Sequence, residues 1–174
     1  MRAFPTLLKL AREGDAFYQN QVGYCLDTGK GARRNRRQAA HWYELAAKGG
    51  SVEAMGNLAV LYENGSGVRR DLRRALGLYK QGAAMRDAWC QCNLGTAYAD
   101  GAGTKPDMER ALYWWRKAAE QGDFKAQFNL GWAYLDGQGV RRNRRWATLW
   151  LTRAAEQGHS KAKKLLRDQV PNRV

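Results

Sequence analysis

The sequence predicts an all-α solenoid of four helix–turn–helix repeats with a capping helix at each end. Three observations predict it. The glycine pairs Gly29/Gly31, Gly65/Gly67, Gly101/Gly103 and Gly137/Gly139 recur every 36 residues. A small column, Ala39, Ala75, Ala111 and Ala147, keeps the same period, and so does an apolar column, Val22, Leu58, Leu94 and Leu130. No gap is needed in any copy, which is how a stacked repeat array is written in sequence.

Taken in order, residues 4–13 resemble the second half of a preceding unit and predict an N-terminal capping helix. The repeats follow at 14–49, 50–85, 86–121 and 122–157, and 158–170 predict a C-terminal capping helix bearing Lys161, Lys163, Lys164 and Arg167. The whole chain, 1–174, is expected to form one repeat domain. In each repeat Asp15, Ser51, Asp87 or Asp123 supplies the side-chain oxygen that an N-cap needs for a first helix. That helix ends at Gly29, Gly65, Gly101 or Gly137, where a left-handed residue costs little only for glycine. Asn35, Asp71, Asp107 and Asn143 then cap the second helix. Small columns let helices approach: Gly23, Ala59, Gly95 and Gly131 on the first helix, Ala47, Ala83, Ala119 and Ala155 on the second. Tyr62, Tyr98 and Tyr134, with Tyr43, Tyr79, Trp115 and Leu151, supply bulk. One unit cannot bury its own apolar face, so the units must stack.

Composition narrows the class further. Of 174 residues, 44% are hydrophobic, so whole-chain disorder is excluded. The net charge of +14 permits an anionic partner without requiring one, since Arg outnumbers Lys 20 to 10 and a compositional bias would give the same excess. The three cysteines, Cys25, Cys90 and Cys92, form no disulfide framework. No apolar run reaches the length of a membrane span, and no secretory leader is evident at the start. A cytoplasmic, bacterial protein is expected, or a periplasmic one where a leader has been removed.

On these residues the chain resembles the Sel-one-like repeats, relatives of the tetratricopeptide repeats. The best copy is AQFNLGWAYLDGQGVRRNRRWATLWLTRAAEQG (126–158), and NLGTAYADGAGTKPDMERALYWWRKAAEQG (93–122) is close to it. The Leu-Gly pair, the Gly-x-Gly turn and the Ala-Ala-Glu-Gln-Gly ending carry the resemblance, which covers roughly 14–158. It implies a right-handed superhelix whose first helices line the concave side, and a non-catalytic scaffolding or adaptor role. Two features depart from the family. There are no paired cysteines, and arginines (Arg36/Arg37, Arg73, Arg144/Arg145) follow the second cap where apolar or acidic residues are usual.

The residues offer no catalytic constellation. His41 falls on the outer face of a second helix and His159 at the cap position of the last helix. Most acids serve as caps, precede turn glycines or lie on the outer stripe of a second helix, as Glu44, Glu120 and Glu156 do. No carboxylate pair remains for general acid–base work. Cys90 and Cys92, two apart on a helix, are poor metal ligands. Cys25 and Cys90 read as small buried fillers, and Cys92 as exposed and the thiol that reacts. The glycine-rich segments GKGARRN and GSGVRRD are explained by turn geometry rather than by a nucleotide. No enzyme activity, cofactor or metal is expected.

Charge concentrates in four equivalent windows, 33–38, 69–74, 105–110 and 141–146, which hold +11 of the net +14. Stacking would bring Arg33, Arg34, Arg36, Arg37, Arg69, Arg70, Arg73, Arg74, Arg141, Arg142, Arg144 and Arg145 to one edge. Cations in a first helical turn oppose the macrodipole at about 0.3–1 kcal/mol each, so their number suggests a use: binding an acidic protein, a lipid surface or, as a weaker candidate, nucleic acid. The competing expectation is a concave peptide- or protein-binding face. A helical wheel puts Val22 and Leu26 in the core and the columns of Phe17, Asn20, Tyr24 and Asp27 opposite. Those columns vary between repeats, with Trp89 and Cys92 in the third and Phe128, Trp132 and Leu135 in the fourth. Beside them Gln21, Asn57, Asn93 and Asn129 form an amide ladder suited to an extended peptide. The concave set is therefore Tyr24, Asn57, Trp89, Asn93, Phe128, Asn129, Trp132 and Leu135. The expected partner is another protein or peptide, an acidic one being an option, with nucleic acid or an anionic membrane surface less favoured; a monomer is favoured, and the sequence leaves the oligomeric state open.

Overall fold

The computed structural model describes residues 4–169 and contains, among them, ten α-helices and no strand. In chain order they are α1 (Phe4–Arg12), α2 (Ala16–Thr28), α3 (Arg36–Lys48), α4 (Val52–Asn64), α5 (Leu72–Ala84), α6 (Ala88–Asp100), α7 (Met108–Glu120), α8 (Phe124–Asp136), α9 (Arg144–Glu156) and α10 (Ser160–Gln169). Helices α2 to α9 have 13 residues each, the length the 36-residue period requires of two helices and two turns. Of the expected C-terminal cap, residue 170 lies outside the described residues.

Local chemistry sets every boundary. All eight predicted N-caps accept a backbone N–H inside the first turn. Asp87 takes Cys90 N at 2.7 Å, Asp71 takes Arg74 N at 3.0 Å and Asn143 takes Trp146 N at 3.1 Å. The first helices end on left-handed glycines, with φ between 66° and 84° at Gly29, Gly65, Gly101 and Gly137. The second cap also closes the hairpin through its own backbone. Asn35, Asp71, Asp107 and Asn143 donate N–H to the carbonyls of Leu26, Tyr62, Tyr98 and Tyr134, at 2.7–2.9 Å. A buried helix end is thereby satisfied in the same way in each repeat.

The chain divides into two compact units, Met1–Met85 and Arg86–Val174, at the boundary between the second and third repeats. In the first unit, Val22, Leu26, Tyr43, Leu58 and Leu61 form a core that Leu7 and Ala11 of α1 close off. In the second, Leu94, Leu112, Trp115 and Leu130 are buried, and Leu151, Ala154 and Ala162 join α9 to α10. Helix pairs come close wherever one side offers no side chain. Gly23 lies against the Tyr43 ring, Gly95 against the Trp115 indole and Gly131 against Leu151. The loop glycines Gly67 and Gly139 sit on the first turns of α3 and α7, so each turn packs on the second helix of the preceding repeat.

Candidate functional site

Two surfaces were expected to carry function, and each draws its residues from both units. On the first helices two of the expected columns hold exposed rings and one is turned inward. Tyr24 and Trp132 occupy the same repeat position and stand 39% and 38% exposed. Phe17, two columns earlier, is 62% exposed. The column of Asn20, Gly56, Cys92 and Phe128, expected on the same open stripe, is turned inward. Cys92 is only 3% exposed, which corrects its assignment as the reactive thiol. Burial, with Asp123 beside it, holds the Cys92 thiol far above the usual range. Phe128 and Leu135 are likewise not part of an exposed patch. Both pack on the Leu151, Ala154 and Ala162 cluster, and Phe128 stacks on the His159 imidazole with centroids 4.3 Å apart. A helix in an array is flanked by neighbours on both sides, so less than half of its circumference is open. Trp89 is half-buried.

The amide ladder is largely spent on the fold. Asn57 Nδ2 donates to Asn20 Oδ1 at 3.3 Å across the first and second repeats. Asn129 Nδ2 reaches Thr96 Oγ1 at 3.5 Å across the third and fourth, and Asn93 Nδ2 bonds the carbonyl of Trp89 in its own helix. A second set of amides went unnoticed in the sequence. Gln19, Gln91 and Gln127 share one repeat position and are buried. Gln19 and Gln127 donate to the carbonyls of Ala11 and Ala119. In the second unit, Gln121 Nε2 donates to Gln91 Oε1 at 2.7 Å and Gln157 Nε2 to Gln127 Oε1 at 2.9 Å. Glutamine recurring at a 36-residue interval beside the apolar columns was the signal. The Gln19 and Gln127 bonds tie a repeat to the helix before it, the glutamine–glutamine bonds join the two helices of one repeat, and a polar group buried this deeply must be bonded to be tolerated.

The arginine edge splits into two kinds of residue. Some arginines hold the fold. Arg36 pairs with Asp27 at 3.0 Å. Arg70 and Arg142, at one repeat position, donate Nε to the carbonyls of Glu63 (2.9 Å) and Asp136 (2.8 Å), closing the ends of α4 and α8. Arg74 Nη1 donates to the Tyr62 hydroxyl at 3.0 Å while its guanidinium lies 5.5 Å from the ring centre. Arg110 lies over Tyr98 in the same way, and Trp146 stacks on Tyr134. The tyrosine column is therefore consumed by the column of Arg74, Arg110 and Trp146. Arg33, Arg34, Arg37, Arg69, Arg73, Arg141 and Arg145 are exposed and make no hydrogen bond or ion pair among the described residues. Arg144 is exposed as well. Within each unit the loop packing seen at Gly67 and Gly139 sets the basic segment of one repeat beside that of the next.

His41 is exposed, whereas His159 is half-buried and caps α10 by accepting Ala162 N at Nδ1, 3.2 Å away. Among the described residues no group of three His, Cys, Asp or Glu side chains is close enough to hold a metal. None of the described helices is long and apolar enough to cross a membrane.

With the geometry established, comparison with known proteins is informative. The Sel1 repeat signature matches residues 16–51, 52–87, 90–123 and 124–159. A protective antigen present in uropathogenic Escherichia coli strains, described as displaying an SLR fold, superposes with a TM-score of 0.90 at 35% identity over 95% of this chain. A Sel1 repeat protein from Oxalobacter formigenes superposes with a TM-score of 0.83 at 29% identity over 88% of the chain. The chain spans 36% of the first protein and 62% of the second. Cysteine rich protein B of Helicobacter pylori shares the fold, with a TM-score of 0.59 at 22% identity over 71% of this chain and 91% of its own. No curated protein matches the sequence. Proteins built of such repeats generally act as protein-interaction scaffolds rather than as catalysts. With four consecutive matches across most of its length, and an all-α solenoid fold throughout, the chain belongs to the Sel1 repeat family.

Proposed function

We propose that the chain is a non-catalytic scaffold whose units each bind a protein or peptide on the exposed face of their first helices, with Tyr24 as the anchor of the first unit and Trp132 as that of the second. One observation carries this reading. Tyr24 and Trp132 hold the same repeat position and are partly exposed, with the Lys30 ammonium 5.6 Å from the Tyr24 ring centre, while Val60 and Thr96 stand there in the other two repeats. The other aromatic column, Tyr62, Tyr98 and Tyr134, is occupied by stacking partners. A position that varies while its neighbours repeat, and that exposes large rings, suits an interface anchor. Trp89, Asn57, Asn93 and Asn129 flank the anchors but are partly committed to the fold. Phe128 and Leu135 are committed to the packing of α8 on α9 and α10.

A second reading is favoured by a different column. Arg33, Arg69, Lys105 and Arg141 are basic in all four repeats, and all are exposed and unpaired among the described residues. That column would suit an acidic protein or an anionic surface, whose binding weakens steeply with salt.

The experiment is affinity recovery from the source cells with three baits: wild type, Tyr24→Ala with Trp132→Ala, and Arg33→Glu with Arg69→Glu. Loss of the same partner in the aromatic variant only, with unchanged thermal stability, supports the first reading. Loss in the arginine variant only, together with salt sensitivity, replaces it by the second.

A further inference from the structure

In the second and third repeats the tyrosine near the end of the first helix carries a guanidinium. Arg74 lies over Tyr62 and Arg110 over Tyr98, each 5.5 Å from the ring centre. Each of these arginines also pairs with the acid that caps its own helix, Asp71 or Asp107. The fourth repeat replaces both members of that pair. Its cap is the neutral Asn143, and Trp146 stands at the arginine position. The indole stacks on Tyr134, with ring centres 6.3 Å and planes 25° apart, and Trp146 remains 46% exposed. Tyr134 is half-buried and is held by Arg116, whose Nη2 donates to its hydroxyl at 3.3 Å. Trp146 is thus an exposed ring fixed from one side. Its surroundings are basic. Arg145, Leu149 and Arg153 follow at four-residue steps along the outer face of α9, with Trp146 beside them, and all are exposed. Arg141 and Arg145 make no hydrogen bond or ion pair among the described residues. The sole acid of α9 is Glu156, in its last turn, and Asp136, before the loop, is already paired with Arg142 at 3.7 Å.

We propose that this face of α9 binds single-stranded nucleic acid, with a base stacked on Trp146 and phosphates on Arg141 and Arg145. A base needs a fixed ring to stack on, and a phosphate needs a cation not committed elsewhere. The segment 141–146 supplies both. Stacking on aromatic side chains beside a basic track is how single strands are held whatever their sequence. Tyr134 keeps the indole in place before a base arrives, so binding has less ordering to supply. Other anionic partners fit this face less well. In a duplex the base faces are stacked on one another and do not reach the indole. A bilayer surface takes up several apolar side chains together, and Leu149 is the one large exposed apolar companion of Trp146 on α9. An acidic peptide meets the arginines but leaves the ring unused. The proposal rests on the basic column described above for Arg141, goes beyond it by adding the ring, and shares no residue with the anchors Tyr24 and Trp132.

The test uses a fluorescein-labelled thymidine strand of about ten nucleotides, within the span of a single-strand site, and an abasic strand of the same length and charge. Binding is read by anisotropy across a salt series. The wild-type chain should bind the thymidine strand saturably, more weakly as salt rises, and the abasic strand about tenfold or more less tightly, as the loss of base stacking implies. Trp146→Ala should lower thymidine-strand affinity to the abasic level and leave the abasic strand unaffected. Trp146→Arg should lose the same factor although it adds a cation. It introduces the residue that already covers Tyr62 and Tyr98, so misfolding does not imitate the loss. Arg141→Glu with Arg145→Glu should abolish binding of both strands, and an acid in the first turn of α9 suits the helix macrodipole. Equal affinity for the two strands, or thymidine binding by Trp146→Arg as tight as wild type, overturns the stacking site while leaving the basic column's affinity for anions standing. No saturable binding of the thymidine strand, or tighter binding to phosphatidylglycerol vesicles or polyglutamate than to the strand, overturns the choice of nucleic acid.

Discussion

Gly95 and Gly23 hold the same repeat position, yet alanine should destabilise the chain at Gly95 and be nearly neutral at Gly23. A methyl on Gly95 would stand 2.5 Å from Trp115 Cδ1, 2.7 Å from its Nε1 and 3.0 Å from the carbonyl oxygen of Ala111. The indole can move only by breaking its 3.3 Å bond to Thr96 Oγ1, and the backbone carbonyl cannot move cheaply. Overpacking of this kind costs about 1–3 kcal/mol, the lost hydrogen bond adds about 1, and better helix propensity returns about 1. The balance is a loss of about 2 kcal/mol, or about 4–8 °C in Tm for a chain of this length. At Gly23 the obstacle is the Tyr43 ring, 2.6 Å from the added methyl. The second repeat already shows the accommodated arrangement, with Ala59 and Tyr79 in the equivalent columns and Tyr79 buried. Gly23→Ala should therefore melt within about 2 °C of wild type, the propensity gain offsetting a small ring shift. Calorimetry on the two single variants decides the matter. If Gly95→Ala melts at or above wild type, close approach is not the reason for the glycine.

Three further outcomes are expected. His159 is neutral where it caps α10, and burial, with Lys161 and Lys125 nearby, lowers its pKa from 6.5. The unfolded chain therefore takes up the proton first. Stability is full above pH 6.5 and falls as pH drops from there towards the lowered folded value, where Nδ1 also loses its acceptor role. Hydrogen exchange of the α10 amides at pH 7.5 and pH 5 should show this, and His159→Asn should abolish the difference. Arg86 adopts φ 66°, the left-handed region that Gly50, Gly122 and Gly158 take in the equivalent turns. Arg86→Gly should gain about 0.5–1 kcal/mol, strain relief of about 1–2 offset by unfolded-chain entropy, and a lower urea midpoint would contradict this. Finally, Cys25, Cys90 and Cys92 are all buried, so a thiol reagent should label none of them quickly in the folded chain and all three in urea. One fast equivalent would show that Cys92 is open after all.

The fold was legible because its determinants are local. An Asp71 or Asn143 cap reaches an N–H three residues away, and a left-handed glycine ends a helix whatever lies around it. Repetition every 36 residues turned these local marks into columns, from which repeat number, helix ends and stacking followed. What only the tertiary structure decided is how much of each helix stacking leaves open. The wheel treated α6 and α8 as helices with one covered side, but packing within the second unit buries Cys92 and half-buries Phe128. The same holds for charge. Sequence could count the arginines at the edge, but not that Arg36, Arg70, Arg74 and Arg142 bond to groups six to twelve residues away while Arg33 and Arg69 do not.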